Sequence, residues 1–237
     1  MAVIINESFE ETIDGGDGYD DTWTAYTSTG STLDPDNAEV ARPTGGGNQV
    51  LKIVIADTGN VAGIKHDAGA AGKAIVYGRF YWRVTGIAAW TVGQIILQCL
   101  DLSSNQYFVL RFTGSANQIQ ARYYDNGTTV NVTLATSFAI NTWYRIEWRY
   151  DLTNAMFELK VDGVVEISEV LNGTLYGNHR YMQLHDASDR AAAFTQYLDL
   201  IKANDGDGWI GAEATGGLSI PGNPFRKPFV RPFGGVL

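Results

Sequence analysis

A two-residue alternation constrains this chain more than any other feature of it. In Tyr144-Arg145-Ile146-Glu147-Trp148-Arg149-Tyr150 the even positions are apolar or aromatic and the odd ones charged, the pattern of a strand with one face buried. Phe157-Glu158-Leu159-Lys160-Val161 repeats it, meets Asp162-Gly163, and resumes as Val164-Val165-Glu166-Ile167. Asp-Gly between two alternating runs is a hairpin signal, because both turn residues must take positive φ. Asp125-Asn126-Gly127 closes a second hairpin after the strand 118–124. Phe80, Trp82 and Val84 alternate with Arg79, Tyr81 and Arg83, and Phe108, Leu110 and Phe112 with Tyr107, Val109 and Arg111. Further strands are expected at 49–55, 93–100, 181–185 and 196–203. No window longer than about ten residues holds a 3.6-residue apolar period, and the weak exception, 190–194, is too short to stand as a helix. About ten to twelve strands without helices between them predict an all-β, two-sheet antiparallel sandwich or barrel.

Composition narrows the function classes. Of 237 residues 45% are hydrophobic and 18% charged, which is incompatible with a disordered chain. No apolar run approaches the roughly 18 residues of a membrane helix, and the N-terminus lacks the layout of a signal peptide, so no membrane partner and no secretory route are expected. Seventeen basic against 26 acidic residues, net −9, argue against a nucleic-acid footprint. The sole cysteine, Cys99, permits no intrachain disulfide, and its apolar run predicts a buried small hydrophobe.

The last 30 residues read differently. Four of the six prolines lie in the final stretch, and Pro-Phe recurs at Pro224-Phe225, Pro228-Phe229 and Pro232-Phe233. Residues 220–237 carry Arg226, Lys227 and Arg231 and no acid. Proline cannot donate to a ladder, so an extended C-terminal tail is expected over 206–237, after a domain spanning 1–205. Phenylalanines at a four-residue period suggest anchors seated in pockets, on the tail's own domain or on a neighbour. Proline lowers the entropy lost on docking. Trp209, Pro224, Phe225, Pro228, Phe229, Arg231, Pro232 and Phe233 are therefore the candidate partner-binding residues.

Three segments carry a family resemblance. Asn141-Thr142-Trp143-Tyr144 running on to Asp151, followed by 157–164 with its Asp162-Gly163 turn, is similar to a stretch of laminin-G-like, concanavalin A-like jelly rolls. The run 197–205 resembles the closing strand of that family. Glu7-Ser8-Phe9-Glu10, with Gly18-Tyr19-Asp20-Asp21-Thr22-Trp23-Thr24, resembles variants found in virion proteins of tailed phages and in related bacterial genes. The resemblance covers about residues 5–205. It implies a concanavalin A-like jelly-roll fold and, through its phage variants, a virion protein. Fold alone leaves the ligand open.

No catalytic residues are expected. The enzyme branch similar to laminarinases carries a Glu-x-Asp-x-(x)-Glu strand, and retaining glycosidases need two carboxylates about 5 Å apart. Here Glu147 is the lone acid of its strand, and Asp199 has no acidic neighbour two positions away. His66, His179 and His185 share no ligand spacing and are expected at the surface or rim. Calcium is a possible cofactor, because residues 1–39 hold ten acids and no Lys or Arg. Asp14, Asp17, Asp20 and Asp21 among glycines are the candidate oxygen ligands, with Asp34, Asp36 and Asn37 beyond them. For glycans, Trp90 in a loop-like stretch and Tyr124 beside Asn126 are the candidate platform residues. Arg79, Tyr81, Arg83, Tyr107, Arg111, Arg122, Tyr124, Arg145 and Arg149 would form an Arg/Tyr lattice if their strands shared a sheet. Such a lattice is an exposed sheet face or a docking face.

The expected function is a non-enzymatic virion structural protein, a decoration, fibre or appendage subunit in an oligomeric assembly. It would be tethered through the tail to other virion proteins or to copies of itself, with glycans as possible partners. The alternatives are a free carbohydrate-binding module, with or without a need for calcium, and a hydrolase with an unrecognised site.

Overall fold

A computed structural model of the chain describes residues 3–7, 23–27, 31–36, 50–55, 62–85, 93–184, 194–206 and 208–211. Among them are fifteen strands and no helix, so none long and apolar enough to cross a membrane. In chain order they are β1 Val3–Glu7, β2 Trp23–Thr27, β3 Thr32–Asp36, β4 Val50–Ile55, β5 Ala62–Asp67, β6 Ile75–Thr85, β7 Ile95–Asp101 and β8 Gln106–Phe112. Then follow β9 Ile119–Asp125, β10 Thr128–Thr133, β11 Tyr144–Asp151, β12 Met156–Val161, β13 Val164–Val170, β14 His179–Leu184 and β15 Phe194–Asn204. Sheet A has eight strands in the order β13-β12-β11-β6-β15-β4-β3, with β1 also paired to β15. Sheet B has seven, β10-β9-β8-β7-β14-β5-β2. Every pairing is antiparallel. The two-sheet sandwich is the architecture that the alternation predicts.

The core is the inner half of each alternation. Phe80 and Trp82 of β6, Ile146 and Trp148 of β11, Phe157 and Leu159 of β12, and Phe108 and Leu110 of β8 are fully buried in one cluster. Gly78 lies opposite Trp148 in the β6–β11 register. A Cβ at Gly78 would stand 2.0 Å from Trp148 Cζ2, so the indole occupies the space that any larger residue would fill. Both predicted hairpins are present. Asn126 and Gly127 take φ of 45° and 73°, and Asp162 and Gly163 take 51° and 85°, both residues positive as a tight two-residue turn requires.

Two of the irregularities in the ladders shape the core and the strand order. β15 bulges between Asp199 and Lys202, with Leu200 at φ 47° and its N–H donated to Asp199 Oδ1 at 2.8 Å. Its first half pairs with β4 and its second half with β1. β8 bulges against β7: the register steps from Cys99↔Phe108 to Leu100↔Gln106, leaving Tyr107 without a partner opposite. The extra residue swings the Tyr107 ring into the core, where it stacks on Tyr150 with centroids 3.9 Å apart.

Several sequence expectations need correction. The strands outnumber the ten to twelve expected, because short strands such as β3 are too brief to show alternation. Proline at Pro35 is tolerated there because β3 is an edge strand. Phe194, at the end of the stretch judged too short to stand as a helix, opens β15. His66 and His179 are buried, not at the rim. His179 Nδ1 shares a 2.6 Å hydrogen bond with the Tyr107 hydroxyl, and the His66 ring meets Trp23 edge-on at 5.6 Å. Cys99 is fully buried as expected, and burial pushes its thiol well above the usual range.

Candidate functional site

The Arg/Tyr lattice is divided between the two sheets. Arg79, Tyr81, Arg83, Arg145 and Arg149 lie on β6 and β11 of sheet A, whereas Arg111, Arg122 and Tyr124 lie on β8 and β9 of sheet B. Tyr107 belongs to the core. The outer faces of the two sheets are chemically unlike.

On sheet A, acids hold the guanidinium groups of β11. Arg149 binds Glu158 at 2.8 Å and Asp151 at 2.6 Å, and Arg145 binds Glu147 at 2.9 Å. Residues 208–211 lie across this face. Arg79 donates to Gly211 O at 2.7 Å and to Leu200 O at 3.2 Å, while the Gly211 N–H donates to Glu147 Oε1 at 3.0 Å. The Trp209 ring receives the Lys160 ammonium 3.5 Å from its centroid and stands edge-on to Tyr77 at 5.7 Å. Trp209, a candidate partner-binding residue, therefore sits against its own sandwich.

On sheet B the register aligns one outward residue per strand. Phe108, Leu110 and Phe112 of β8 and Ile119, Ala121 and Tyr123 of β9 point into the core, so Val109, Arg111, Gln120, Arg122 and Tyr124 point out. Pairing gives the row Asn131, Arg122, Val109, Gln98, Gln183, Lys65 and Thr24 across all seven strands. The side chains are linked. Arg122 donates to Gln106 Oε1, Gln106 Nε2 to Gln98 Oε1 at 2.5 Å, and Gln98 Nε2 to Gln183 Oε1 at 2.5 Å. Arg111 forks onto Gln120 Oε1, from Nε at 3.0 Å and Nη2 at 2.6 Å, and reaches Asn131 Oδ1 at 3.1 Å. Half-burial, and then the Arg111 charge beside it, draw the Arg122 guanidinium below its usual range.

Aromatic rings flank this polar strip. Tyr124 stacks on Tyr176 with centroids 3.7 Å apart and planes 10° from parallel. Tyr181 of β14 carries the Lys65 ammonium 3.7 Å above its ring, with Arg180 at 4.6 Å. Asp67 is held by Arg180 at 3.2 Å, and that bond draws its carboxyl below the usual range. Asn126, a candidate glycan residue, forms the β9–β10 turn beside Tyr124. Its side chain crowds Gly173, where an added Cβ would lie 2.1 Å from Asn126 Oδ1.

The glutamines were the residues that sequence reading missed. Gln98 in the run Ile95–Leu100 is an amide among apolar neighbours, a signal that its strand has a polar outer side. Trp90, the acids Asp14, Asp17, Asp20 and Asp21, and tail residues Pro224, Phe225, Pro228, Phe229, Arg231, Pro232 and Phe233 lie outside the described residues. Among the described residues no three His, Cys, Asp or Glu side chains gather as a metal ion would require.

No family model and no curated protein matches the chain in sequence. Solved structures match it in shape. It is similar to Cip1, a cellulose induced protein, with a TM-score of 0.63 at 13% identity over 88% of this chain and 99% of that one. It is similar to a carbohydrate esterase of the Shiga toxin-encoding bacteriophage phi24B, with a TM-score of 0.58 at 15% identity over 85% and 97%. It is also similar to a sialidase, with a TM-score of 0.62 at 10% identity over 86% of this chain and only 18% of the sialidase. The fold is a jelly-roll sandwich. At these identities the likeness establishes that and no more.

Proposed function

We propose that this chain is a non-enzymatic glycan-binding sandwich and that it serves as a structural subunit of a virion. The outer face of sheet B carries the glycan reading. Amide groups of Gln98, Gln106, Gln120, Gln183 and Asn131 offer both donors and acceptors, as sugar hydroxyls require. Tyr124, Tyr176 and Tyr181 offer ring surface for the apolar faces of pyranoses. Names of two similarly folded proteins, a carbohydrate esterase and a sialidase, are consistent with saccharide chemistry on this fold. The non-enzymatic part is supported by the carboxylates. Asp67, on the outer face of sheet B, is occupied by Arg180, and Glu147, Asp151 and Glu158 on β11 and β12 of sheet A are occupied by arginines.

The virion role draws on the opening segment, on the Pro-Phe tail, and on a fold shared with a phage protein. In this reading Trp209 to Gly211 pack on sheet A, the tail beyond Gly211 fastens the subunit to other virion proteins or to further copies, and sheet B faces outward. A glycan array probed with the full chain, with and without chelator, tests the binding and any need for calcium. Selective retention is expected, and a blank array together with turnover of any polysaccharide would refute the reading. Truncation after Gly211 is expected to leave a folded sandwich that fails to enter particles.

A further inference from the structure

The two guanidinium groups at the β8–β9–β10 end of sheet B are held in an unusual way for so acidic a chain. Arg111 and Arg122 are diagonal neighbours, since Arg111 pairs with Gln120 and Arg122 with Val109. Among the described residues their side-chain partners are amide oxygens of Gln120, Asn131 and Gln106. On sheet A, by contrast, Arg145 and Arg149 meet carboxylates. Two like charges side by side repel, and neutral amide oxygens offset that repulsion only in part. A carboxylate adds its own negative charge and a bidentate fit to the guanidinium fork, which an amide oxygen does not, so an arriving carboxylate would displace the amides. The strip also has length. Adjacent strands lie about 4.8 Å apart, so Arg122 on β9 and Lys65 on β5, four strands away, stand about 19 Å apart. The Gln106–Gln98–Gln183 relay fills the interval.

We propose that this face binds an acidic polysaccharide across the strands, with Arg111 and Arg122 taking a uronate carboxylate and the glutamine relay taking hydroxyls of the following sugars. Lys65 meets a second carboxylate further along. The inference deepens the glycan reading and rests on it. A chain of net charge −9 repels polyanions at long range, so the attraction is local to this strip and weakens with salt. Nucleic acid, which needs a broad basic footprint, is the polyanion that the strip does not suit.

Affinity electrophoresis of the full chain through gels cast with polygalacturonate, alginate, carboxyl-reduced polygalacturonate or duplex DNA tests the proposal. Retardation by at least one of the two polyuronates is expected, with at least about tenfold weaker binding to the reduced polymer. Arg111→Gln and Arg122→Gln should each weaken polyuronate binding about tenfold, with unchanged thermal melting. Equal binding of charged and reduced polymers, lost in Gln98→Ala, would overturn the anion inference while leaving the glycan reading intact. No retardation by any polysaccharide would overturn the inference, and a blank glycan array beside it would take the glycan reading as well. Binding of DNA as strong as that of polyuronate, with the same arginine dependence, would also overturn it.

Discussion

His179 gives the sandwich a built-in sensitivity to acid whose size follows from its surroundings. It is 1% exposed and shares a hydrogen bond with Tyr107, whose ring stacks on Tyr150. Burial, and then the nearby His66, push its pKa from 6.5 down to about 3. The unfolded chain therefore takes up a proton near pH 6.5 that the native state refuses. Stability falls as pH drops through this window, by about 1.4 kcal/mol per pH unit. At pH 4 the unfolded His179 is almost wholly protonated and the native one almost wholly neutral, so the loss relative to pH 7 is about 3 kcal/mol. That is a large share of the 5–15 kcal/mol typical of a domain.

The variant His179→Gln removes the titration. It should cost about 1–3 kcal/mol at pH 7, because the Tyr107 hydroxyl is left with a poorer partner. Its stability should then fall less steeply than that of the wild type from pH 6.5 to pH 4.5. Urea unfolding followed by tryptophan fluorescence, in half-unit pH steps, gives both curves. Carboxylates such as Asp67 and Asp151, held below their usual range, lose their contribution at lower pH in both proteins and cancel in the difference. Parallel curves for wild type and variant between pH 6.5 and 4.5 would refute the assignment of a neutral, buried His179.

Four further outcomes are expected. Gly78→Ala should destabilise by about 3 kcal/mol or more, since its methyl would enter the Trp148 ring; chemical denaturation measures it, and a change below 1 kcal/mol would mean that the indole can shift. Trp209→Ala, which loses the Lys160 and Tyr77 contacts, should cost about 1 kcal/mol and speed limited proteolysis around residues 205–211. Cys99 should resist a thiol reagent in the native protein and react on unfolding, because its thiol is buried and its pKa is raised; rapid native labelling would contradict this. Asp162→Ala should weaken the β12–β13 hairpin by about 1 kcal/mol, through loss of the Arg145 N–H bond at 2.8 Å and of a residue suited to positive φ.

The fold was legible where alternation is long and turns are strongly typed. β11, β12 and the Asp162-Gly163 turn could be placed from the sequence because a one-residue slip would turn Trp148 to solvent and Arg149 to the core. Tyr107 could not be placed, because a bulge inverts the alternation locally and nothing in 106–112 announces it. His66 and His179 were misjudged for a related reason. A histidine's burial depends on a partner supplied from a distant strand, and the Tyr107–His179 bond spans 72 positions. The candidate site suffered most from this limit. The arginines of β6, β8, β9 and β11 look alike as sequence, and only the strand order sends two to sheet B and the others to sheet A.

That division gives the two faces their different chemistry. On sheet A the charges of β11 are neutralised within the sheet, and the chain itself, through Trp209 and Gly211, closes over Arg79 and Glu147. A face so satisfied gains little by exchanging its partners for those of a ligand. At the β8–β9–β10 end of sheet B the partners of Arg111 and Arg122 are neutral amide oxygens, and these two cations meet no carboxylate among the described residues. Amide bonds can be traded for sugar hydroxyls at nearly equal energy, and guanidinium–amide bonds can be traded for guanidinium–carboxylate bonds at a gain. The asymmetry in free energy, more than the shape shared with other jelly rolls, is what favours sheet B over sheet A as the face proposed to bind glycans.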